Sequence, residues 1–111
     1  MTDQALLARA AKAIGGRLLI AASGRLFGIE TKKGCRFPWN PLLDNGDAFE
    51  LAVELRICTL FPMDGDRIKE CGAGLVGGDR VASMEPFYPD PPAALRRAIV
   101  RAAAETMRAT R

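Results

Sequence analysis

Apolar positions follow two different rhythms along this chain. Leu6, Leu7, Ala10, Ala11 and Ile14 recur at helical spacing, with Arg9 and Lys12 on the other side. Thr2 or Asp3 can cap the free amides at the start, and Gly15-Gly16 supplies a left-handed stop. This predicts a first helix from Thr2 or Asp3 to Ile14. The rhythm then shortens. Arg17–Ala21 and Leu26–Glu30 read as two strands flanking the glycine-containing turn Ala22-Ser23-Gly24-Arg25, a hairpin. Thr31 to Asn40 reads as a basic linker, with Pro38 and Pro41 bracketing Trp39.

Helical spacing returns near Asp44 or Asn45. Ala48, Leu51, Ala52 and Leu55 form one apolar row with Phe49 and Val53 beside it, while Glu50 and Glu54 point away. Asp44 can cap this helix, and Asp47 completes an aspartate variant of the capping box. Beyond it, Ile57–Phe61 is a short β-leaning run ended by Pro62, and Asp64-Gly65-Asp66 is a turn. Arg67–Cys71 and Arg80–Glu85 alternate and predict two more strands joined through the glycine-rich stretch 72–79. A proline-rich connector, Pro86 to Pro92, leads into a final helix from about Pro91 to Thr110, since proline is tolerated in a first turn. On a helical wheel Leu95, Ile99, Ala102 and Thr106 centre one face of it, and Arg97, Arg101 and Arg108 cluster on the opposite one. The order α-ββ-α-βββ-α predicts an α+β fold: one domain over residues 1–111, a sandwich of an antiparallel or mixed sheet of about five strands covered by three helices.

One segment carries a resemblance. Residues 39–55, Trp-Asn-Pro-Leu-Leu-Asp-Asn-Gly-Asp-Ala-Phe-Glu-Leu-Ala-Val-Glu-Leu, resemble the "WNPL-x-D-x-GDA-x-x-LAV-x-L" motif of the phage α-β-α (ABA) sandwich domain, a family of small proteins carried by bacteriophages and prophages. Residues 97–105, Arg-Ala-Ile-Val-Arg-Ala-Ala-Ala-Glu, resemble that family's closing helix. The resemblance implies helices on both sides of a sheet and a mobile-element origin. It implies no activity, because the family has no assigned chemistry. Residues 56–90 fall outside it.

Composition narrows the function classes. With 49% hydrophobic and 26% charged residues the chain matches the globular average, which excludes wholesale disorder. No apolar run approaches the ~18 residues that span a bilayer, and the start Met-Thr-Asp-Gln has no basic region leading into an apolar one, so a cytoplasmic protein is expected. The net charge of +3 is local: residues 1–89 balance at 11 cations and 11 acids, and Arg96, Arg97, Arg101, Arg108 and Arg111 against Asp90 and Glu105 hold the excess. The three cysteines, Cys35, Cys58 and Cys71, are an odd count and argue against a disulfide framework. Histidine, the commonest acid/base and metal ligand, is absent.

Several motifs have chemical readings. Gly72-Ala73-Gly74-Leu75-Val76-Gly77 fits G-x-G-x-x-G, but a turn follows where a dinucleotide fold needs a helix, so a hairpin or strand bend is expected. The cysteines lack the paired spacing of a zinc site, and Cys58 and Cys71 read as small core residues. Asp44 with Asp47, and Asp64 with Asp66, could hold Mg²⁺ or serve as acid and base, yet cap and turn chemistry already accounts for them. No cofactor and no catalytic constellation is expected. Lys32, Lys33 and Arg36 interleaved with Phe37 and Trp39 could neutralise phosphates and stack bases, with Arg97, Arg101 and Arg108 adding contacts. Against this, a tryptophan before a helix cap packs inward, and the arginines complement a helix C-terminus or pair with Glu105. The expectation is therefore a non-catalytic module that binds a phage or host protein, with RNA or single-stranded DNA binding as the alternative.

Overall fold

Local chemistry fixes the helix starts. In the computed structural model, which describes residues 2–60, 70–75 and 83–109, helix α1 spans Asp3–Ala13 and the Thr2 hydroxyl accepts from the Ala5 amide at 3.1 Å. Leu6, Leu7, Ala10 and Ala11 are its buried side, as their spacing requires. Gly15 then adopts φ +79°, a conformation that costs glycine little. A Cβ there would stand 2.3 Å from Lys32 Cε, so the lysine stem lies directly over the end of α1.

Helix α2, Asn45–Leu55, begins under Asp44, whose carboxylate accepts from the Asp47 amide at 2.9 Å. The reciprocal half of the capping box is replaced. Asp47 Oδ2 accepts from the Asn40 amide at 2.8 Å, so it ties the incoming loop to the helix and not the cap to itself. The helix ends at Arg56 in the left-handed region (φ 56°), a position usually given to glycine. Asp44→Ala should cost about 0.5–2 kcal/mol, read as a lower midpoint in urea; an unchanged midpoint contradicts the cap.

The sheet arrangement departs from the single five-stranded layer. There are two three-stranded antiparallel sheets, β1 (Arg17–Ile20), β2 (Leu26–Glu30) and β3 (Arg36–Phe37) in one, and β4 (Ile57–Leu60), β5 (Glu70–Leu75) and β6 (Ser83–Pro86) in the other. Each is a meander of strands consecutive in the chain, with α2 between them. Two elements differ from the sequence reading. The basic linker contains β3, whose Arg36 and Phe37 lie opposite Glu30 and Ile29. The approach of β3 depends on Gly28, where a Cβ would stand 2.3 Å from the Phe37 carbonyl oxygen. The glycine stretch is partly strand: Gly72, Ala73, Gly74 and Leu75 form most of β5, the central strand between β4 and β6. The expected segments Phe61, Asp64–Lys69, Gly77–Asp79 and Arg80–Ala82 lie outside the described residues.

Helix α3, Pro91–Ala109, starts with Asp90 accepting from the Ala93 amide at 3.2 Å. It is the centre of the molecule, touching α1, α2 and all three strands of the second sheet. Its buried side is wider than the predicted row of Leu95, Ile99, Ala102 and Thr106: Ala98, Val100, Ala103 and Ala104 are buried as well. Three of those four are alanine, as is Ala102, which lets the backbones around α3 come close. Ala73 and Cys71 of β5, both fully buried, face it with equally little bulk. One core cluster runs from α1 through Ile29, Trp39 and Leu51 to α3 and β5. This is an α+β fold with a shared core.

Candidate functional site

The cations that the sequence offered as a nucleic-acid surface are dispersed and mostly engaged. Lys32 lies over Gly15 at the C-terminal end of α1. Lys33 and Arg36 are exposed nearby, in the β2–β3 hairpin, and Arg36 pairs with Glu30 at 3.1 Å, as does Arg17 at 2.9 Å. Arg97 pairs with Asp3 at 2.9 Å, at the opposite end of α1. Helix α1 has 11 residues, so the two groups are separated by about 16 Å of helix. Arg101 donates to Glu85 on β6, whose carboxylate is one of the few buried charges, and so joins α3 to the second sheet. The side chain of Arg108 lies outside the described residues. Trp39 corrects the reading most directly. It is 5% exposed and part of the core cluster, so it offers no ring face for base stacking.

The two arginines around Glu30 have a measurable consequence. The hydrogen bond from Arg17, helped by the charges of Arg17 and Arg36, holds the Glu30 carboxyl below its ordinary range. A lowered carboxylate pKa contributes stability above the unfolded-state value and loses it as pH falls through the folded one. In an NMR titration Glu30 should therefore titrate below an unpaired surface glutamate, and Arg17→Gln should move it back up.

Other candidate chemistry is occupied by structural duties. Asp44 and Asp47 are engaged as described, and Asp64 and Asp66 lie outside the described residues. Among the described residues no group of three or more acids or cysteines converges on a point that could hold a metal. Cys58 is exposed and its thiol donates to the Gly74 carbonyl at 3.4 Å; Cys35 is exposed; Cys71 is buried, and burial, with Glu85 and Glu70 nearby, pushes its thiol up. A thiol-reactive dye should thus label Cys35 and Cys58 in the folded protein and Cys71 only on unfolding. Equal rates at all three would contradict the burial.

What the structure does assemble is an apolar groove of about 880 Å³ between α2, the first turns of α3 and β4. Phe49 and Val53 form one rim, 68% and 62% exposed and one turn apart on α2, so that they make a contiguous apolar surface with the groove. Leu95 and Ile99 of α3, Ile57 of β4 and Phe87 form the floor and far wall. Its polar lining consists of Asn45, Thr59 and two arginines, Arg56 and Arg96. Arg96 is fixed by neutral acceptors, Nε donating to the Leu42 carbonyl at 2.8 Å and Nη1 to Asn45 Oδ1 at 2.6 Å. Sequence reading placed Phe49 and Val53 beside the buried row of α2 without asking what covers them. The signal was present: α2 carries more apolar residues than one face can bury, and the surplus stands at i and i+4. No family model, no curated protein and no solved structure matches this chain. No helix among the described residues is long and apolar enough to cross a membrane.

Proposed function

We propose that this chain is a non-catalytic binding module and that the groove between α2 and α3 is where it holds a protein partner. The observation that carries this reading is the pair of large apolar side chains, Phe49 and Val53, standing more than half exposed on the rim of an apolar groove. Contiguous exposed apolar surface bordered by polar groups marks interaction sites on soluble proteins. The helices beneath it are capped and anchored to the core, so the surface is presented on rigid elements. A role in a phage or prophage, with a phage or host protein as the partner, rests on the likeness of residues 39–55 and 97–105 to the ABA sandwich motif.

The nucleic-acid alternative has less support, because Trp39 is in the core, which leaves Phe37 as the exposed ring of that loop, and Arg36, Arg97 and Arg101 already have carboxylate partners. A photo-reactive phenylalanine analogue at Val53, installed in cells that carry the gene, separates the two. The expected result is one discrete protein adduct that Phe49→Ser abolishes and that the same analogue at Arg17 does not form. Adducts to RNA or DNA, or none that depend on Phe49, would overturn the proposal.

A further inference from the structure

We infer that the occupant of the groove is an amphipathic helix of a partner protein, flanked by carboxylates about eleven residues apart that meet Arg96 and Arg56. The inference rests on the reading of the groove as a protein-binding surface and adds the chemistry of the partner. Its basis is an imbalance of charge. Arg17, Arg36, Arg97 and Arg101 each reach a carboxylate of this chain. Among the described residues the two arginines of the groove have no such partner, and none of the lining residues is Asp or Glu. Of the described acids on the flanking helices and at their starts, Asp44 and Asp90 cap α2 and α3, and Glu50 and Glu54 of α2 do not line the groove.

Geometry then sets the spacing. Arg96 is held against Asn45 in the first turn of α2, and Arg56 is the residue that ends it. Between them lie the 11 residues of the helix, or about 16 Å along its axis. A helix laid along this groove covers the same length in about eleven residues, three turns, which returns to the same face. Its apolar stripe meets Phe49, Val53 and Leu95, and an acid at each end of that stripe falls beside a guanidinium. The neutral acceptors on Arg96 take two of its five N–H donors, so the rest of the fork is open to a carboxylate and already positioned. Helix-in-groove recognition of this kind is read through apolar anchors at i, i+3, i+4 and i+7.

A displayed library of helical peptides tests it, with those anchors fixed as leucine and the flanking positions randomised over acidic, neutral and basic residues. The expected result is enrichment of Asp or Glu at both flanks, about eleven positions apart. Binding of the selected peptide should vanish with Phe49→Ser, weaken about tenfold with Arg56→Gln, and weaken further with added salt. Neither residue is buried, so both variants keep the fold. Enriched peptides with basic or neutral flanks that still need Phe49 would overturn the charge inference and leave the groove reading standing. A library with no Phe49-dependent binder would overturn both. Self-association of the protein that Phe49→Ser abolishes, and that excludes the peptides, would overturn the inference in favour of a second copy as the occupant.

Discussion

Leu51→Ala is expected to lower the unfolding free energy by about 2–5 kcal/mol. Leu51 is almost completely buried in α2, within the cluster that joins α1, α3 and β5. A domain of this size has only about 5–15 kcal/mol in hand, so the loss should appear as a melting midpoint lower by roughly 10 °C or more. Phe49→Ala, two residues earlier on the same helix, provides the contrast. Its ring is in the groove rim and mostly exposed, so the change should stay within about 0.5 kcal/mol. Equal losses at the two positions would mean that the helix is rotated from the orientation described, and the groove would go with it.

Trp39→Ala should cost about 3–5 kcal/mol, because removing a buried indole leaves a cavity that the surrounding elements cannot close fully. The effect should exceed that of removing any of Lys32, Lys33 or Arg36, whose side chains are exposed. The same residue is the chain's single tryptophan, so its fluorescence reports the burial independently. Emission in the native state should be blue-shifted and poorly quenched by iodide, and should move to the red as the protein unfolds. A native spectrum like that of the unfolded chain would return Trp39 to the surface and restore the base-stacking reading.

The contrast between these two positions also shows which parts of the fold were legible. Helix α2 was readable because its cap and apolar row lie within a dozen residues of each other, and the free amides of its first turn donate to the nearest carboxylate, Asp44, whatever the rest of the chain does. The first hairpin was readable for the same reason. Strand β3 was not: its two residues have no pattern of their own and become strand only because Gly28 leaves room for the Phe37 backbone. The glycines of β5 were misread as a connector because glycine weakens a strand in isolation. Here it is paired on both edges, under a helix whose alanines need the space.

The candidate site divides along the same line. The surplus of apolar residues on α2 could be counted in the sequence, but no count could say that β4 and the start of α3 would leave Phe49 and Val53 uncovered. Arg101 was offered a local partner in Glu105, whereas the folded chain brings Glu85 to it from 16 positions away. By itself the sequence determined the three helices, the Asp44 cap of α2, the first hairpin and the α+β class, since each follows from hydrogen bonds and periodicity within a few residues. The tertiary structure alone decided that the strands divide into two sheets, that Arg101 meets Glu85, and that an apolar groove edged by two arginines stays open. Those outcomes depend on which surfaces meet, and burial is shared among segments far apart in the chain.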